Sequence, residues 1–141
     1  MTAGGIVLAL ALALAVRADP GAPPGRYQVT AETVLDSRTG LTWQRASAAH
    51  YDFADAKSYC AGLTLAGGGW RLPTVRELQT IVDEGAYAPA IDGAAFPQTL
   101  TLPYWSATPY VPVRGAWMVD FTEGRVEDHE VSDVMPVRCV R

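Results

Sequence analysis

The sequence predicts an α+β domain in which two helices pack on a small twisted antiparallel sheet beside a long loop region. Two fully written helix starts, followed by a series of short strand signals, carry that prediction. Thr74 and Glu77 have the spacing of a capping box, in which the hydroxyl accepts the Glu77 N–H and the carboxylate accepts the Thr74 N–H. Asp52 is placed to cap an earlier helix, with Asp55 in the first turn, where the helix dipole favours an acid.

In chain order, residues 5–16 are uncharged and mostly apolar and lead into Val16-Arg17-Ala18. They read as a secretory signal peptide over residues 1–18, cut after Ala18, because the run is shorter than the roughly 20 residues of a membrane span. No Lys or Arg precedes the run, so a mis-assigned start codon or a retained membrane anchor stays as the alternative. Residues 19–26, with three Pro and two Gly, are expected to be a disordered lead-in, and the domain proper to span 27–141. Val34-Leu35-Asp36 and Leu41-Thr42-Trp43-Gln44 flank a polar turn ending in Gly40, a hairpin signal that sends Trp43 into the core. Phe53, Ala56, Tyr59, Cys60 and Leu63 recur at helical spacing and define helix one, ending near Gly62. Pro73 sharpens the start of helix two, which is expected from Val75 to about Glu84 with Gly85 as its stop. From Gly85 to Pro103 the periodicity is lost, and this long ordered loop is of the kind that often carries function. Tyr104–Thr108, Ala116–Phe121, Arg125–Glu127 and Val137–Val140 read as strands.

Eleven Lys and Arg stand against 15 Asp and Glu, a formal charge of −4. Loss of Arg17 with the leader would make it −5, which argues against nucleic acid or an anionic membrane as the main partner. Lys57 is the sole lysine. Two cysteines, Cys60 and Cys139, with no CxxC in a chain expected to be exported, favour one disulfide, with two buried free thiols as the alternative. Such a bridge would close a loop of about 80 residues and be worth on the order of 4–5 kcal/mol by chain entropy.

Five ordered blocks carry a family resemblance: Asp36 to Trp43, Ala56 to Cys60, Trp70-Arg71-Leu72-Pro73-Thr74 with Glu77-Leu78, Tyr104 to Thr108, and Val137-Arg138-Cys139-Val140. Over residues 34–141 the chain resembles the Lcl C-terminal domain family. That resemblance implies a C-type-lectin-like fold, a disulfide that closes the termini, and an exported or surface bacterial protein. It also implies kinship with the namesake domain of a collagen-like adhesin, associated with attachment to host glycans. No Gly-X-Y tract precedes the domain, and the Glu-Pro-Asn, Gln-Pro-Asp and Trp-Asn-Asp signatures of calcium-dependent sugar binding are absent.

Glu127-Asp128-His129-Glu130 is the densest ionisable stretch, expected as a solvated acidic loop because strand neighbours point to opposite faces and cannot converge on a metal. His50 stands alone and is expected at the surface or as a cap. Tyr104, Trp105, Tyr110, Arg114 and Trp117 are the candidate ligand-binding residues, since aromatic faces stack on sugars; core packing is the competing account for the tryptophans. Arg71, Arg76, Arg114, Arg125 and Arg138 offer an anionic-glycan patch unless they pair internally with Glu77 or Asp120. With no phosphate loop, nucleophilic triad, metal set or cofactor motif, an enzyme is disfavoured. The expected role is an exported binding module for a surface glycan or envelope protein, without calcium, and the alternative is a structural envelope domain with no small ligand.

Overall fold

A computed structural model describes residues 22–141. The expected signal peptide over 1–18 and residues 19–21 of the lead-in lie outside the described residues. Of the lead-in, Arg26 is tied into the fold. Arg26 Nε and Nη2 donate to the two carboxylate oxygens of Asp36 at 3.0 and 2.8 Å, and Nη2 also donates to the Thr80 carbonyl at 2.6 Å.

Strands β1 (Tyr27–Val29), β2 (Thr33–Asp36) and β3 (Leu41–Gln44) form an antiparallel meander, and β4 (Ala48–Tyr51) leads into α1 (Phe53–Gly62). A 3₁₀ turn at Leu65–Gly67 and the helix α2 (Val75–Thr80) follow. The chain ends with β5 (Pro103–Tyr110), β6 (Gly115–Asp120), β7 (Arg125–Glu130) and β8 (Met135–Val137). The fold is α+β with two helices, but the expected single sheet is three small antiparallel ones, β1-β2-β3, β4-β8 and β5-β6-β7. The short strands β1 and β4 carry no clear strand signal in the sequence.

Both helix caps form as the side chains require. Asp52 Oδ1 accepts the Asp55 N–H at 2.9 Å, and Thr74 and Glu77 close the reciprocal capping box. Helix α2 stops at Thr80, four residues short of the expected Glu84, for a non-local reason. A continuing helix would offer the Thr80 carbonyl to Glu84, but Arg26 takes it, and the Asp83 N–H turns away to the Ala90 carbonyl at 3.0 Å. Gly85 is therefore not the stop. The long loop after α2 is a core element, since Ile91, Ala95 and Phe96 are buried with Trp43, Leu78 and Tyr104.

The β5–β7 sheet is covered on both faces, and this organises the core. Alternation sends Tyr104 and its cross-strand partner Val119 into one apolar cluster with Leu78, Ile81 and Phe121. Trp105 and its partner Met118 enter the other, with Ala56, Cys60 and Val137. The disulfide Cys60–Cys139 joins α1 to the C-terminal segment inside this second cluster. Beyond β8 the expected last strand is a stitched seam. Thr42 and Arg141 exchange both backbone hydrogen bonds at 2.9 Å, Arg71 and Val140 do the same, and the Gln44 N–H reaches Cys139 O.

Gly124 closes the β6–β7 turn at φ +79° with its Cα against Val82, so a methyl there would run into Val82 Cγ1 as well as strain the backbone. Gly124→Ala is expected to cost about 2 kcal/mol in urea unfolding, whereas Gly93→Ala, with open space around it, should be nearly neutral. Equal effects at the two positions would refute the docking of this turn on Val82, just beyond α2.

Candidate functional site

The open end of the β5–β7 sheet is built by the β5–β6 hairpin. Pro109 lacks a ladder donor and occupies an edge strand, and a register shift between Trp105 and Pro109 frees the end of β5 from the strict pleat. The last pair is Tyr110 opposite Gly115, and the turn beyond it carries Val111 and Val113, 84% and 51% exposed, and the exposed Arg114. Gly115 is compelled by packing, because a Cβ there would lie 2.6 Å from the His129 carbonyl oxygen.

Pairing puts one set of side chains on a common face. Tyr110 opposes Gly115, Gly115 opposes Glu130, and Trp117 opposes Asp128, with Gly115 and Trp117 two residues apart. The missing side chain at Gly115 leaves room for the half-buried Tyr110 and Trp117 to meet edge to face, with ring centroids 4.8 Å apart at 71°. Asp128 and Glu130 stand exposed along the neighbouring strand. An open cleft of about 400 Å³ lies next to them, lined by Arg114, Glu130, Val131 and Ser132, where the Val131 N–H is tied to the Arg114 carbonyl at 3.0 Å. An amphipathic aromatic pair with carboxylates on the neighbouring strand can stack on an apolar ring face and accept hydrogen bonds at its rim.

Tyr110 and Trp117 are thus brought together and Arg114 lies in the adjoining turn, lining the cleft with Glu130, but Tyr104 and Trp105 are removed from the candidate set. Both are fully buried, the Tyr104 hydroxyl accepts the Leu100 N–H at 3.0 Å, and Trp105 Nε1 donates to Tyr51 O at 2.7 Å. A sheet with one wet face would have exposed one of these neighbours, and this sheet has none at that height.

The five arginines form no anionic-glycan patch. Arg71 makes a bidentate pair with Glu77 at 2.8 Å, which raises the Arg71 pKa and, against some desolvation, holds the Glu77 carboxyl below its usual range. Arg125 pairs with Glu123 and Glu127, and Arg138 is fully buried. Arg76 and Arg114 are exposed without an ion pair among the described residues. Asp120 accepts the Thr122 N–H instead of an arginine.

The acidic stretch is strand β7, not a solvated loop, and half of it does converge. Glu127 and His129, two residues apart, share a face, and the turn after β7 returns Asp133 to the imidazole. Desolvation lowers the His129 pKa, but hydrogen bonds to Asp133 and Glu127 outweigh it and leave the value raised. Ending the strand at Glu127 in the sequence hid this cluster, although the Glu-x-His spacing was the available signal. His50 is exposed on β4. Among the described residues no group of three or more His, Cys, Asp or Glu is arranged to hold a metal ion.

No curated protein matches the chain. The family model described as the Lcl C-terminal domain matches residues 32–141, which takes in both helices, the disulfide and the open hairpin end. By that match over most of its length, the chain belongs to the Lcl C-terminal domain family.

Proposed function

We propose that this protein is an exported binding module with a C-type-lectin-like arrangement that captures a surface glycan without calcium at the open end of the β5–β7 sheet. The observation that carries the reading is the half-exposed Tyr110–Trp117 pair, set against the exposed Asp128, Glu130 and Arg114 on a rigid strand scaffold. Sugars present one apolar ring face and a rim of hydroxyls, and this arrangement meets both. Because most arginines are committed elsewhere and carboxylates flank the aromatics, neutral or amino sugars fit better than sulfated or sialylated ones. The disulfide and the leader-like residues 1–18 support export to an oxidising compartment. The C-terminal segment stitched to β3 and the α1 bridge support the lectin-like reading.

A glycan array probed with the disulfide-intact protein tests this. Trp117→Ala and Tyr110→Ala are each expected to weaken the retained sugar about tenfold or more, a loss larger than the modest drop in unfolding midpoint that breaking their ring contact brings. Absence of any retained glycan, or retention by both variants as strong as by the wild type, overturns the reading. The exposed Val111 and Val113 at the hairpin tip favour a second reading, an envelope-protein contact with no small ligand.

A further inference from the structure

We propose that Glu127, His129 and Asp133 form a proton-operated clamp that fixes the β7–β8 turn, and with it one wall of the cleft beside Arg114. The clamp is a property of the unliganded fold, while its effect on ligand capture rests on the binding reading above. His129 Nε2 lies 3.0 Å from Glu127 Oε1, and Nδ1 lies 3.0 Å from Asp133 Oδ2. A neutral imidazole has one N–H and one lone pair, so one nitrogen would then point a lone pair at a carboxylate. Only the imidazolium donates to both carboxylates at once.

The surrounding charges leave the carboxylates as the controlling groups. Glu127 on the same strand is shared with Arg125 at 3.9 Å, Asp133 approaches from the turn, and the residue opposite His129 on β6 is Ala116, which carries no charge. Asp133, the more exposed of the two acids and without a second cation among the described residues, is the one released on deprotonation. The first half of the turn has other ties, since Val131 N–H reaches Arg114 O and the Phe53 N–H reaches Val131 O. Ser132 to Val134 depend on Asp133, whose N–H holds Glu130 O and whose carboxylate holds the imidazole. Val131 and Ser132 line the cleft, so protonation of His129 on one side of the sheet firms the wall on the other.

The raised His129 pKa gives the sign. The clamp is fully formed below the ordinary imidazole range and is lost as pH rises through the folded-state value.

Titration of the unliganded protein by NMR, following the His129 ring and amide protection at Asp133 and Val134, tests the clamp whether or not a glycan is ever found. The wild-type imidazole is expected to titrate above the free histidine range, with protection in the turn falling roughly five- to tenfold through the same transition. Asp133→Asn should lower the His129 midpoint and remove the pH step, and Glu127→Gln should lower the midpoint while leaving residual turn protection. A wild-type midpoint equal to that of Asp133→Asn, or turn protection indifferent to the titration, overturns the proposal. A clamp that titrates as expected beside a cleft that retains no sugar would leave the clamp standing and count against the glycan reading alone.

Discussion

Removal of the Cys60–Cys139 bridge, as the double variant Cys60→Ala/Cys139→Ala, is expected to lower the unfolding free energy by about 4–5 kcal/mol, much of the stability of a domain this size. The bonded cysteines are 79 residues apart, so the bridge constrains most of the ordered chain in the unfolded state. Both side chains are fully buried in the cluster that holds Trp105 and Met118, and truncation to Ala also leaves small voids there. The bridge anchors α1 to the segment whose backbone is stitched to β3 and Arg71, so its loss should loosen the seam at Thr42 and Val140 first. Urea unfolding of the oxidised protein and of the double variant measures the difference. A loss below about 1 kcal/mol would show that the seam, not the bridge, closes the fold.

The parts of this architecture legible in the sequence are those whose causes lie within a few residues. Thr74 with Glu77, and Asp52 with Asp55, write their own helix starts, and the turn ending at Gly40 writes the β2–β3 hairpin. Elements decided from a distance depart from the sequence expectation. Helix α2 ends where Arg26, 54 residues away in sequence, takes the Thr80 carbonyl. Tyr104 and Trp105 are candidate binding residues in the sequence, and for Trp105 it is the competing account, core packing, that holds. The apolar residues at both parities in Tyr104-Trp105 and Trp117-Met118-Val119 were the signal that both faces are covered. Of the candidate site, Tyr110 and Trp117 are legible as aromatics of the type that stacks on sugars, and the β5–β6 pairing across a short turn is what brings their rings into contact. The alignment of Asp128 and Glu130 with Trp117 and Gly115, and the approach of Asp133 to His129, are not legible, because they need the β6–β7 register and the return of the following turn.

Arg138 carries the second large expectation, a loss of about 3–5 kcal/mol for Arg138→Ala. Its guanidinium is fully buried and meets no carboxylate among the described residues. Instead Nη1 donates to the carbonyls of Gln44 and Arg45, and Nη2 donates to Thr99 Oγ1 at 2.8 Å. The guanidinium lies 4.8 Å from the Phe96 ring centroid and 6.0 Å from that of Tyr104. Burial pushes its pKa down to about 10, which leaves it charged at neutral pH. The cation thus gathers the end of β3, the long loop and the C-terminal segment around one planar donor group. Truncation would strand three acceptors and open a void between Phe96 and Tyr104. Arg138→Met would fill that void and remove the cost of burying a charge while still stranding the acceptors, so it should lose roughly half as much as Arg138→Ala. Arg138→Lys keeps the charge, but a single ammonium cannot reproduce the planar fork, and it should fall nearer the Ala variant than the Met variant. Chemical denaturation of the three variants separates these effects. A Lys variant as stable as the wild type would mean that charge alone, not the two-pronged geometry, holds the loop against β3.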